Sequence, residues 1–224
     1  MSPTTTAKRP ARPSPAAGRK PAAPTPRRLP IALIAGVVLA VGLVAVIVVT
    51  MGSASEAAEV GSPMVAGEAL PPFESIESET GLGLTIPEVT GADFAGTPVS
   101  ITRDGRPKVI VFFAHWCSVC RQEMPLIADW LPGAGLPAGL DLVAVSTGVN
   151  ENQVNYPPSE WFAAEGWPAP LIMDDEAGSV ARAFGLTAYP YFVFVDAEGK
   201  VALRLIGGLS TATLQSVIAE LART

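Results

Sequence analysis

Cysteine and histidine are nearly absent: two cysteines and one histidine stand among 224 residues. So few cysteines exclude a small fold stapled by several disulfides. A zinc site needs four ligands, and Cys117, Cys120 and His115 supply three at most, crowded within one turn. Haem attachment needs a histidine directly after the second cysteine, where Arg121 stands, and no distant histidine exists for a copper chaperone. No internal repeat occurs, and the 21 glycines follow no collagen-like period. Acidic residues are missing from residues 1–28, which carry seven bases (Lys8, Arg9, Arg12, Arg19, Lys20, Arg27, Arg28). Those bases lie among Pro and Ala without interleaved aromatics, and the remaining 196 residues carry a net charge of −13. A body that acidic repels phosphate backbones, so nucleic acid is excluded as a partner.

Four segments follow from composition. Residues 1–28 hold almost no large apolar side chain and cannot offset the entropy of ordering, so a disordered basic tail is expected. Residues 29–51 contain Ile31 to Val49, 19 positions without a charge, long enough at 1.5 Å per residue to cross a hydrocarbon core of roughly 30 Å. A transmembrane helix is the reading, with a cleaved secretory signal as the alternative; signal peptides have a shorter apolar region, of ~7–15 residues. All the flanking bases precede the run, which keeps that side in the cytoplasm, leaves the rest extracytoplasmic and predicts a single-pass protein of the cell membrane. Residues 52–84, rich in Gly, Ser, Pro and Glu, read as an extracytoplasmic tether, with an extra strand near Leu70 to Phe73 left open. Residues 85–224 are one domain's worth of chain.

Within that domain short apolar runs alternate with helical ones. Lys108 to Ala114, a helix over about 118–131, and Leu140 to Ser146 suggest a parallel strand–helix–strand crossover. An irregular, proline-bearing insertion follows, then a strand at Leu171 to Met173, a helix near 176–184 stopped by Gly185, and strands at Tyr191 to Val195 and Val201 to Ile206 joined as a hairpin. A last helix begins near Ser210 and sets Leu214, Val217, Ile218 and Leu221 at i, i+3, i+4 and i+7, a stripe that packs on the sheet.

Both cysteines fall in Trp116-Cys117-Ser118-Val119-Cys120, after the apolar strand and at the start of the first helix. Side chains at i and i+3 face one another on a helical turn, a separation a disulfide accepts. Cys117 lies where unpaired N–H groups and the positive end of the helix dipole meet, which favours thiolate over thiol. It is assigned as nucleophile, and Cys120, one turn deeper, as the resolving thiol that attacks the mixed disulfide. His115 is expected at a strand end facing water, without a catalytic assignment. Trp161, Trp167 and the prolines of residues 155–170 read as packing within the insertion, which could also rim a substrate groove.

A strand, then Trp-Cys-x-x-Cys, then Pro125 five residues past the second cysteine, and later Tyr189-Pro190 before an apolar strand resemble the thioredoxin superfamily. More narrowly, Trp116 to Pro125, the single N-terminal anchor and a hairpin-like lead-in from Ile86-Pro87 to Ser100 are similar to the membrane-anchored TlpA and ResA group. The resemblance implies a thioredoxin-like α/β fold, with a central mixed β-sheet flanked by helices behind the membrane anchor. It implies that Cys117 and Cys120 form a redox-active disulfide and that Pro190 is a cis proline lying against it. It further implies that the Tyr189 backbone pairs with an extended substrate. An ordinary strand-start proline is the competing reading of Pro190. Group members carry a carboxylate at the place of Glu123 that manages the proton of the buried thiol; a solvated helix glutamate is the other reading. Two departures stand out. Val111 occupies the place where thioredoxins carry a buried acid, and Ser118-Val119 is neither the Gly-Pro nor the Pro-His of better-known relatives.

The function expected is that of a thiol–disulfide oxidoreductase that needs no cofactor. Cysteine pairs of exported proteins are its substrates, apocytochrome c before haem attachment is the most specific candidate, and a membrane thiol–disulfide donor or acceptor is its redox partner. The same cycle run backwards would serve oxidative folding. A tethered binding module with a structural disulfide is a further alternative. A thiol peroxidase is a third, disfavoured because His115-Trp116 stand where that chemistry needs Pro and Thr or Ser.

Overall fold

The lead-in strands come before the main sheet and form a sheet of their own. The computed structural model describes residues 58–223, which lie within one compact unit, Ser55–Thr224. The expected basic tail and transmembrane helix lie outside the described residues. Among the described residues no helix is long and apolar enough to cross a membrane.

Strands β1 (Met64–Ala66), β2 (Glu88–Ala92) and β3 (Pro98–Ile101) form an antiparallel sheet in that order. The main sheet has the order β6-β5-β4-β7-β8, from β4 (Lys108–Phe113), β5 (Asp141–Ser146), β6 (Leu171–Met173), β7 (Tyr191–Val195) and β8 (Val201–Ile206). Strands β4, β5 and β6 run parallel, whereas β7 and β8 are antiparallel, making a mixed sheet. Central β4 pairs Val111 with Ala144 on one side and Phe192 on the other. Both its faces are covered, which is why its sequence is a continuous apolar run rather than an alternation.

Side chains of β4 alternate between two cores. Val109, Val111 and Phe113 join Met124, Ile127 and Leu131 of α1 (Ser118–Ala134), Trp161 and Phe162 of α2 (Pro158–Ala164), and Leu214, Ile218 and Leu221 of α4 (Thr211–Leu221). Ile110 and Phe112 face Leu70, Phe73, Ile86, Val89 and Ile101, together with Val180 of α3 (Ser179–Ala183) and Phe184. The stripe expected on the last helix is the packed face of α4, capped by the Ser210 hydroxyl, which accepts the Thr213 N–H.

Three expectations need correction. The segment read as a free tether is part of the folded unit from residue 58: β1 pairs with β2, and Leu70 and Phe73 are buried. The N–H groups of Leu70 and Phe73 bond the carbonyls of Ala183 and Gly185, so that stretch docks without becoming a strand. Helix α1 continues to Ala134 with Pro125 and Pro132 inside it, three residues beyond the expected end. The insertion read as irregular contains α2, started by Pro158 in the first turn, where a missing N–H costs nothing.

Candidate active site

The turn between β4 and α1 presents the cysteines. The Cys117 N–H bonds the Ala114 carbonyl at 3.0 Å, and the Arg121 N–H begins the helix on the Cys117 carbonyl at 3.1 Å. Cys117 is the N-cap, and its sulfur accepts the backbone N–H of Cys120 at 3.3 Å. A helix entrance thus aims a donor at that sulfur, the contact a thiolate can use. Cys117 keeps 8% of its surface exposed and Cys120 none. Burial, then the Cys117 thiol beside it and more weakly Glu123, pushes the Cys120 thiol far above its ordinary range. Both cysteines are free thiols.

The Tyr189–Pro190 peptide is cis, and it brings the Tyr189 carbonyl oxygen to 3.6 Å from the Cys117 sulfur. The Pro190 carbonyl is tied into the sheet by the Gly207 N–H. Trp116 stands edge-on to the Tyr189 ring, centroids 5.6 Å apart, and donates its Nε1–H to the Gly148 carbonyl at 2.7 Å. Gly148 has φ 63°, and a Cβ there would lie 2.7 Å from the Tyr189 hydroxyl. Only glycine lets the loop approach this closely. The Tyr189 hydroxyl also has Thr147 beside it, and Thr147 donates to Asp174 at 2.8 Å. The Asp174 carboxylate in turn accepts the N–H groups of Val180 and Ala181 at the start of α3. This chain of contacts was not legible beforehand, because nothing local in the sequence marks Gly148 or Asp174.

Glu123 is buried, with 5% of its surface exposed. One oxygen accepts the Leu209 N–H at 2.5 Å, and the other has no hydrogen-bond partner among the described residues. Burial raises its pKa to about 7, against the opposing pull of the Leu209 N–H. The solvated-glutamate reading is therefore corrected. So is the placement of His115, which is 98% buried rather than facing water. Its Nδ1 contacts the Val154 carbonyl at 2.7 Å and its Nε2 accepts the Asn150 N–H at 3.2 Å. With both ring nitrogens occupied it has none to offer the cysteines. Val111 is wholly buried in the core behind the turn, leaving Glu123 as the carboxylate nearest to the role of a buried acid.

Among the described residues no group of three or more His, Cys, Asp or Glu side chains is placed to hold a metal. A cavity of about 660 Å³ lies away from the cysteines, between the end of α1 (Leu131, Pro132), the start of β5 and β3.

Three comparisons bear on this arrangement. The chain is 28% identical over 141 residues to thiol-disulfide oxidoreductase ResA of Geobacillus thermodenitrificans, covering 62% of this chain and 76% of that one. It is 28% identical over 103 residues to thiol:disulfide interchange protein DsbE of Pseudomonas fluorescens, covering 46% and 53%. It is 28% identical over 125 residues to thiol:disulfide interchange protein HelX of Rhodobacter capsulatus, covering 55% and 64%. The chain thus spans less than two thirds of the last two. A crystal structure of a thioredoxin-family thiol:disulfide interchange protein from Chlorobium tepidum superposes with a TM-score of 0.52 at 24% identity. It covers 62% of this chain and 96% of that one, which shows a thioredoxin-like fold. Residues 82–204, more than half of the chain, match the AhpC/TSA family, and to that family the protein belongs.

Proposed function

We propose that this protein is a membrane-tethered, extracytoplasmic thiol–disulfide oxidoreductase that exchanges disulfides with exported proteins through Cys117 and Cys120. One observation carries the reading: the Cys117 sulfur caps a helix on one side and faces the Tyr189 carbonyl on the other, while Cys120 waits fully buried one turn away. Cys117 as thiolate attacks one sulfur of a substrate disulfide. A Cys117–substrate bond forms, the substrate S–S bond breaks, and the departing thiolate takes up a proton. Cys120 then gives up its proton and attacks the Cys117 sulfur, forming the intramolecular disulfide and releasing the second substrate thiol. The substrate gains two electrons and two protons, and the protein loses the same.

Tyr189, with Pro190 behind it, offers its carbonyl to an extended substrate backbone, and Trp116 holds that segment in place. Glu123 is the proton carrier for Cys120: its neutral form near pH 7 can return a proton to the buried thiol, and its anion can receive one. Resemblance to the TlpA and ResA group supports apocytochrome c as substrate and a membrane thiol donor as electron source. The apolar run from Ile31 to Val49 supports the tether.

The test is trapping. Cys120→Ser accumulates mixed disulfides with exported proteins, and Cys117→Ser does not; equal trapping by both and by the wild type would overturn the reading. Retention of the full chain in washed membranes, lost on deletion of residues 29–51, tests the anchor.

A further inference from the structure

Buried His115 is spent on holding a loop. Its Nδ1 meets the Val154 carbonyl at 2.7 Å, its Nε2 accepts the Asn150 N–H at 3.2 Å, and its own carbonyl accepts from the Asn155 side-chain amide at 3.2 Å. Because Nε2 accepts, Nδ1 carries the hydrogen and the ring is neutral. The next residue, Trp116, bonds the carbonyl of Gly148 at the other end of the same loop. The two residues that precede Cys117 therefore fix residues 148–155 to the cysteine turn.

What the loop presents is unusual. Val154 is 52% exposed and Tyr156 44% exposed, the Tyr156 ring edge-on to His115 at 6.1 Å. Core-type side chains left in water on a loop bonded to the two residues that precede the nucleophile form a contact surface. Its charge is one-sided: no Lys or Arg occurs between Asp141 and Arg182, and Glu151 is exposed in the loop. At its other end the loop is tied through the Gly148 carbonyl to Trp116, whose ring stands edge-on to that of Tyr189.

We propose that residues 148–157 form a wall of the substrate site, and that Val154 and Tyr156 receive an apolar side chain close to the cysteine of an extended, non-acidic polypeptide. The proposal rests on the oxidoreductase reading and adds to it a sequence preference. His115 is a positioning residue for that wall. The negative charge of the loop disfavours acidic neighbours on the incoming segment.

Two peptides test it, alike except for Leu or Ser at the second position on either side of a single cysteine held as a mixed disulfide with thionitrobenzoate. Reduced wild-type protein attacks the Leu peptide about tenfold faster in kcat/KM than the Ser peptide, the scale of discrimination an apolar contact supplies. In the double variant Val154→Ser, Tyr156→Ser that ratio falls to about one. An unchanged ratio in the variant, or no preference in the wild type, overturns the proposal. Equal slowing of both peptides with the ratio kept also overturns it, because the loop would then only support the fold. If the wild type attacks neither peptide, the oxidoreductase reading itself falls. If the double variant loses self-association while keeping its selectivity, the patch is an interface between copies and the proposal is wrong.

Discussion

The sulfur of Cys117 and the carbonyl oxygen of Tyr189 face each other across 3.6 Å although 72 positions separate them in the chain. The turn after β4 and the loop before β7 meet because those strands are neighbours in the sheet. Cys117 sits at the outer end of this meeting point and Cys120 beneath it.

A limiting amount of iodoacetamide at pH 7 is therefore expected to label Cys117 first. Cys120, with no exposed surface and a thiol held protonated by burial, is labelled only after unfolding. Peptide mapping by mass spectrometry reads the order; equal labelling of both in the folded protein would contradict it.

Glu123 links proton binding to folding. Its pKa is raised to about 7 in the folded protein from an ordinary 4.5, so between those values the folded state binds more protons than the unfolded. Its contribution to stability is therefore best below about pH 4.5, is lost progressively as pH rises, and levels off above about 7. Glu123→Gln removes this slope, a gain of up to about 3 kcal/mol at pH 8 relative to the wild type. Urea unfolding of both proteins from pH 4 to 8 measures it, and parallel curves would refute it. The same variant shifts the pH dependence of the second exchange step, attack by Cys120 on the mixed disulfide, more than that of the first step, attack by Cys117, as stopped-flow exchange reads it.

Gly148→Ala places a methyl group against the Tyr189 hydroxyl at a backbone conformation that side chains avoid. A loss of about 1–3 kcal/mol in stability is expected, together with at least tenfold slower exchange with protein disulfides. Trp116→Phe keeps the ring contact and loses the bond to the Gly148 carbonyl, costing about 1 kcal/mol. Chemical denaturation and stopped-flow exchange separate the two effects.

Arg204 is fully buried in an ion pair with Glu79, also bonding the Pro71 carbonyl and the Tyr191 hydroxyl and lying 5.1 Å from the centre of the Phe73 ring. Burial alone would raise the Glu79 pKa, but Arg204 together with the backbone N–H groups of Gly81 and Thr80 outweighs it and holds it below the usual carboxylate range. Arg204→Ala strands that carboxylate and is expected to cost about 3–5 kcal/mol. The double variant Arg204→Met, Glu79→Gln recovers part of the loss. Thermal and urea melts give both numbers, and an additive double variant would show that the pair is not coupled.

Much of the central sheet was legible in sequence because β4 and β7 are covered on both faces, so their apolar runs are unbroken. The α4 stripe was legible for the complementary reason, one buried face at helical spacing. Legibility ended where burial is decided by distant chain. His115 reads as exposed until residues 150–155 close over it, and Glu123 reads two ways until the backbone of Leu209 supplies a donor. Leu70 and Phe73 sit in a stretch whose Pro, Ser and Glu content is that of a linker, yet they fill a hollow beside α3 that only the folded sheet creates. The cis peptide before Pro190 was expected from resemblance alone, since local sequence does not distinguish it from an ordinary proline.

The segment ahead of β2 also guards the margins of the main sheet. At one margin the Gly61 N–H bonds the Asp174 carbonyl just past β6; at the other, Gly83 and Leu84 pair with Val201 of β8. A fragment beginning at residue 85 would bare both rims, leaving unpaired backbone free to recruit the same strand from another molecule. Such a truncation is therefore expected to precipitate or form ladders of copies even with its cysteines intact, and a soluble fragment suitable for assay should begin no later than residue 58.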